Sequence, residues 1–281
     1  MDLSVLKQKL DTLQSKPQGG GQKTDYTKIF WRPTVGKQQI RIVPSAFNKK
    51  NPFKELKFYY GITNKVMISP LNFGEKDPIA IFAGKLREEY TKENYVLAKK
   101  LDAKTRIFAP VVVRGEEDKG VRLWQFGKIV YEELLALAVD EEIGDYTDIS
   151  NGRDITVETV GPESTGTPYN KSSVRVRLKT TPLSEDTSKA SEWLENQPNP
   201  EELFKRFTFD EMKSALEKWL SPEEDNEEGD IVAEPAESFD DAPKSNFQLD
   251  TSSQNVKKTK NDQFDDIFEE GEKKEVDDLP F

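Results

Sequence analysis

The 281-residue sequence predicts an α+β fold: a β-barrel core with inserted and appended helices, a flexible N-terminal helix ahead of it and a disordered acidic C-terminal tail behind it. Three observations lead there. Seven short segments between residues 27 and 180 are rich in Val, Ile and aromatics and are separated by Gly, Pro, Asn or Asp. Stretches of helical periodicity interrupt and follow them without a βαβ rhythm. Charge is also unevenly spread. Residues 1–130 hold 25 bases and 13 acids, residues 131–220 hold 10 bases and 19 acids, and residues 221–281 hold 6 bases and 20 acids. A basic first half joined to an acidic end is the pattern of a polyanion binder with an interaction tail. Plain charge drift along a solvated surface is the competing explanation.

The elements follow in chain order. MDLSVLKQKLDTLQSK places Leu3, Leu6, Leu10 and Leu13 at spacings of three, four and three, an a/d seam on a short helix. PQGGGQ then breaks the chain. A helix this short needs a partner, either its own core or a neighbouring copy. Residues 1–21 are therefore read as a self-association segment, with Leu3, Leu6, Lys7, Lys9, Leu10 and Leu13 as its contact residues. Residues 22–220 form the core. Its strands are QQIRIVPS, ELKFYYGIT, KVMISP, RIFAPVVVRG, GVRLWQFG, DITVETVG and SSVRVRLKTT, and helices are predicted over 84–101 and 128–139. Short strands interrupted by helices in this manner predict a barrel of the oligonucleotide-binding (OB) type. Residues 186–220 turn helical. Thr208 and Glu211 stand as a capping box, and Phe209, Met212, Leu216, Trp219 and Leu220 make one apolar face to pack on the barrel. Residues 221–281 combine low hydrophobicity with high charge and are read as tail. Two clusters stand out within it: NDQFDDIFEEG, with Phe264, Ile267 and Phe268, and the terminal VDDLPF.

Composition removes whole classes of function. With no Cys and no His there are no disulfides, no Cys or His zinc sites, no thiol nucleophile and no Ser-His triad. No phosphate-binding G-x-x-x-x-G-K-[ST] loop occurs, and no carboxylate spacing makes a metal cage or an acid–base pair. The chain is expected not to be an enzyme and to need no cofactor. No apolar run approaches a membrane span, and MDLSVLKQKL lacks a signal-peptide core, so an intracellular, soluble protein is expected.

Binding a nucleic acid needs cations for phosphates and flat side chains for bases. Residues 54–128 interleave the two: Lys57, Tyr59, Phe82, Tyr90, Tyr95, Lys99, Lys100, Lys104, Arg106, Phe108, Arg122, Trp124 and Lys128 are the main candidates. In RLWQF, period two puts Arg122, Trp124 and Phe126 on one strand face, a candidate base platform. Core packing of Trp124 and Phe108 is the rival assignment, since aromatics in strands are usually buried.

Several stretches resemble, in order, the single-stranded DNA-binding (helix-destabilising) proteins of T-even-type bacteriophages. They are QQIRIVPS at 38–45, YTKENYVLAKKLDAKTRIFAPVVV at 90–113, GVRLWQFGKIVYEELLALAVDEEIGD at 120–145, DITVETVGP at 154–162 and SEWLENQPNPEELFKRF at 191–207. They cover most of residues 35–220. The resemblance implies an OB core, sequence-independent binding of single strands and cooperative coating of DNA in replication, recombination and repair. It also implies a cleft whose matching positions are Arg41, Phe82, Tyr90, Tyr95, Lys99, Lys100, Lys104, Phe108 and Trp124. The zinc of the family's best-known member is not carried over, because KVMISPLNFGEKDPIAIF has no Cys or His. Packing by Met67, Leu71, Phe73 and Ile79 is expected in its place. The family's compact N-terminal cluster of bases is reduced to Lys7 and Lys9.

The terminus resembles the tip of bacterial single-stranded DNA-binding proteins, which end in acids, an aliphatic, Pro and Phe. As a hook, Phe281 would fill an apolar pocket and its carboxylate meet a base. Leu279 and Pro280 would shape the approach, and Asp277 and Asp278 would steer it toward a basic rim. The expected partners are single-stranded DNA, other copies of the chain, and replication and repair proteins in the cytoplasm of an infected bacterial host. The acidic tail is expected to compete with DNA for the basic groove. An acidic-tailed protein-interaction scaffold or chaperone-like protein is the alternative reading, and a virion structural protein the third.

Overall fold

The computed structural model describes residues 26–220 together with Phe264 and Phe268. In chain order the elements are α1 (Tyr26–Ile29), β1 (Phe30–Trp31), β2 (Gly36–Ile42), β3 (Lys54–Tyr59), β4 (Met67–Ile68), α2 (Pro78–Glu88), α3 (Lys92–Lys100), β5 (Lys104–Val113), β6 (Arg122–Phe126), α4 (Lys128–Ala138), β7 (Arg153–Val160), α5 (Pro162–Thr165), β8 (Lys171–Thr180), α6 (Thr187–Glu195) and α7 (Phe209–Leu220). The fold is α+β, and all seven expected strands are present. Among the strands only the short β1 was not anticipated, and among the helices the four-residue α1 and α5. At two residues β1 is too brief to carry a period-two signal.

The sheet is organised by β5. Its stretch RIFAPVVV is buried throughout, as a central strand covered on both faces must be. One edge pairs antiparallel with β6. The other edge is shared: residues 104–108 pair with β3, and residues 111–113 pair with β2. Pro110 sits in the gap between those two ladders. Its carbonyl accepts from the Val43 amide at 2.9 Å, so its missing N–H faces the break and no ladder bond is lost. The strand order is β1-β6-β5-β2-β7-β8, with β3 and β4 branching from β5 and every pair antiparallel except β1 with β6.

The strands form one eight-stranded mixed sheet, and no pairing among the described residues closes it into the expected barrel. The last strand shows why pairing stops there. Lys171, Arg175, Arg177 and Lys179 alternate along β8 and are all exposed, the charged edge that discourages a further strand. Helix α4 packs Val130 and Leu134 onto the sheet core of Trp31, Ile40, Val111, Trp124, Ile155 and Val157.

A second core lies in a helical lobe. The helix expected over 84–101 is two helices, α2 and α3, with the break at Tyr90 (φ +53°). The Thr91 side chain caps α3 by accepting from the Asn94 amide at 3.2 Å. Asp77 organises the lobe. Its carboxylate accepts from the Ile79 and Ala80 amides at 3.0 and 3.1 Å, from the Tyr59 hydroxyl at 2.9 Å and from the Ser69 hydroxyl at 2.5 Å. Met67 and Ile79 are buried as expected, and Phe73 is half-buried against the cluster of Leu56, Phe58, Ile68 and Phe108, with the Arg206 guanidinium 3.6 Å from its ring, but Leu71 is 45% exposed. A buried carboxylate with four donors therefore supplements the expected packing. The Thr208–Glu211 capping box forms, with Thr208 N donating to Glu211 at 2.8 Å and Glu211 N donating to Thr208 at 3.2 Å. The apolar face of α7 packs on α2 in this lobe, in a cluster that also holds Tyr59 of β3 and Met67 of β4.

Candidate nucleic-acid interface

The thirteen core candidates from residues 54–128, with Arg41, separate into an exposed set and a buried set. Trp124 is 1% exposed. It lies between Trp31, centroids 5.5 Å apart, and Phe126 at 4.6 Å. Phe108 is enclosed by Phe30, Phe58 and Phe204. Phe82 and Tyr59 lie in the core of the helical lobe. These four are corrections to the stacking set. In each case the strand or helix face that carries the ring is the face covered by a neighbouring element, and the area gained by burying an aromatic decides the outcome.

The buried arginines are likewise structural. Arg41 reaches Asp154 at 3.4 Å, the Thr181 hydroxyl at 3.3 Å and the carbonyls of Asp148 and Thr181 at 3.0 and 2.7 Å. Burial lowers its pKa, and Asp154 offsets part of that effect. Gly152 is required here, because a Cβ would come within 2.5 Å of the Arg41 guanidinium. Arg122 is bound to Glu116 at 2.5 Å and holds that carboxyl below its usual range. Arg106 is buried with its guanidinium 5.6 Å over the Tyr60 ring.

The exposed set is Lys57, Tyr90, Tyr95, Lys99, Lys100, Lys104 and Lys128. Most of it gathers where α2 turns into α3 and α3 leads to β5. Tyr90 is 94% exposed and occupies the left-handed region, where a bulky residue is strained and glycine is the usual choice after a helix C-cap. Tyr95 is 59% exposed. On α3, Lys92, Tyr95 and Lys99 share one face at spacings of three and four, with Lys99 and Lys100 in the last turn, where the helix dipole favours cations. The turn is braced by an ion pair between Arg87 and Asp102 and by Asn94 bound to Glu89. Lys57 stands apart on β3, and Lys128 opens α4, where it pairs with Glu132 at 3.3 Å.

Sequence reasoning missed a second basic surface. Lys171 and Arg175 lie on one face of β8, Arg177 and Lys179 follow across a register shift against β7, all four are exposed, and Arg177 donates to Gln39 at 2.6 Å. The alternation in KSSVRVRLKT was the available signal. Among the described residues no group of His, Cys, Asp or Glu could hold a metal ion, and no helix is long and apolar enough to cross a membrane. The self-association residues Leu3, Leu6, Lys7, Lys9, Leu10 and Leu13 and the docking tip Asp277, Asp278, Leu279, Pro280 and Phe281 lie outside the described residues.

No protein-family model matches the chain, and no curated protein matches it significantly. The functional reading rests on the residues themselves.

Proposed function

We propose that this is a sequence-independent single-stranded DNA-binding protein of the bacteriophage helix-destabilising type. It coats and protects single strands during replication, recombination and repair in an infected bacterial cell. The observation that carries this reading is the α2–α3 turn, where two solvent-exposed tyrosines stand among exposed lysines. Tyr90 and Tyr95 offer faces on which any base can stack, and Lys92, Lys99, Lys100 and Lys104 supply charge for the backbone. Only unpaired strands present base faces, so binding draws the duplex–single-strand equilibrium toward single strands. The β-core serves in this reading as an oligonucleotide-binding scaffold, and the protein binds without catalysis or a metal.

The acidic tail recruits replication and repair proteins through its terminal Phe281, and the N-terminal leucine seam links neighbouring copies along the strand. Fluorescence anisotropy of labelled oligo-dT of several lengths against the full chain tests the core claim. The expected result is binding to single strands in strong preference to duplex, falling steeply with salt. Equal affinity for duplex, or binding insensitive to salt, would sink the reading and favour an acidic-tailed scaffold.

A further inference from the structure

The acidic C-terminal stretch places two aromatics, Phe264 and Phe268, inside the molecule, at 3% and 9% exposure. Both are helical, and a spacing of four puts them on one face. Phe264 meets Phe82 edge-on at 5.8 Å, and Phe268 meets Phe209 at 6.1 Å. The two rings are 4.8 Å apart, and the Lys213 ammonium lies 4.9 Å over the Phe268 ring. Helix α2 lines the receiving groove with Phe82 and Leu86, and helix α7 lines it with Met212 and Leu216.

The rings complete a core that neither helix closes alone. The residues beside them in the sequence are acidic: Asp265, Asp266, Glu269 and Glu270. Lys213 at the rim therefore matches the motif in charge as well as in its cation–π contact.

We propose that the α2–α7 groove is a binding site for an acidic Phe-x-x-x-Phe peptide, and that its resident occupant is the Phe264/Phe268 motif of the same chain. Forty-three residues separate Leu220 from Phe264, and the entropy of closing a loop that long offsets much of what two buried rings contribute. The docked state therefore opens and recloses. While it is closed, the motif is withheld from other proteins. This device does not depend on DNA binding, and its test does not use DNA.

The probe is a fluorescein-labelled peptide of residues 260–270, titrated into the full chain and into the full chain carrying Phe264→Ala and Phe268→Ala. The peptide should bind the double variant at least tenfold more tightly than the wild type, whose groove is filled. No binding to a double variant whose circular dichroism and thermal transition show it folded overturns the proposal, as does equal binding to both proteins. Lys213→Glu in the otherwise wild-type chain tests the site without emptying the core. Amide hydrogen exchange at Phe264 and Phe268 should accelerate at least tenfold, and unchanged exchange overturns the proposal. Sedimentation should show no self-association that the double variant loses. A dimer that it does lose would move the occupant to a second copy and overturn the same-chain assignment.

Discussion

Arg41 and Arg114 converge on one carboxylate, Asp154. Arg41 approaches it at 3.4 Å, and Arg114 binds it through Nε and Nη2 at distances of 2.8 to 3.2 Å. Arg114 continues to the Leu183 carbonyl at 3.0 Å, so β2, β5, β7 and the chain beyond β8 are tied at one point. Removing the carboxylate takes the ion-pair partner from two guanidinium groups, one of them fully buried, and leaves Arg41 only the more distant charge of Asp148. Asp154→Ala should lower unfolding free energy by about 3–5 kcal/mol, read by urea denaturation. A loss below about 1 kcal/mol would mean the pair behaves as a surface contact.

Tyr90 separates stability from binding. A side chain held in the left-handed region is strained by roughly 1–2 kcal/mol, and the ring covers nothing. Tyr90→Gly should raise stability by about 0.5–1 kcal/mol while weakening oligo-dT binding by about tenfold, since one stacked base contributes roughly 1–3 kcal/mol. Chemical denaturation paired with anisotropy reads both effects. Unchanged affinity would take Tyr90 out of the interface.

Trp124 behaves as core. Trp124→Ala should cost about 3–5 kcal/mol of stability, and tryptophan emission should change little when oligo-dT is added to the wild-type chain. A strong quench on addition would place a tryptophan at the bases after all.

Cations that meet phosphate betray themselves through salt. Lys99→Ala should reduce the slope of log K against log salt by about 0.7, the value for one contact on a single strand. Arg175→Ala on β8 should do the same if the strand's path crosses both basic faces. An unchanged slope for Arg175→Ala would confine the path to the α2–α3 turn.

Alkaline pH should unfold the protein through buried phenols. Desolvation is the largest cause raising the Tyr59 and Tyr146 pKa values, with nearby Asp77 adding to the first and Asp145 to the second. Unfolded tyrosine ionises near pH ~10, so the stabilisation is complete below that pH and is lost as pH rises above it. A melting temperature flat from pH 9 to pH 11.5 would contradict this. Tyr59→Phe should soften the decline while giving up the bond to Asp77.

Local signals were enough for elements whose patterning is self-contained. Apolar alternation located seven strands, the Thr208–Glu211 box located the start of α7, and the composition of residues 54–128 located Tyr90, Tyr95, Lys99, Lys100 and Lys104, which are exposed and close together in sequence. The sequence also marked FDDIF as an anomaly in an acidic stretch. It could not say which ring of an aromatic-rich strand faces water, because period two names a face and not what covers it. Packing against Trp31 buries Trp124, Asp154 claims Arg41, and the α2–α7 groove encloses Phe264 and Phe268. Those outcomes depend on partners between 59 and 182 positions away in the chain, Phe209 for Phe268 and Phe82 for Phe264 at the two extremes, and only the folded chain brings them together.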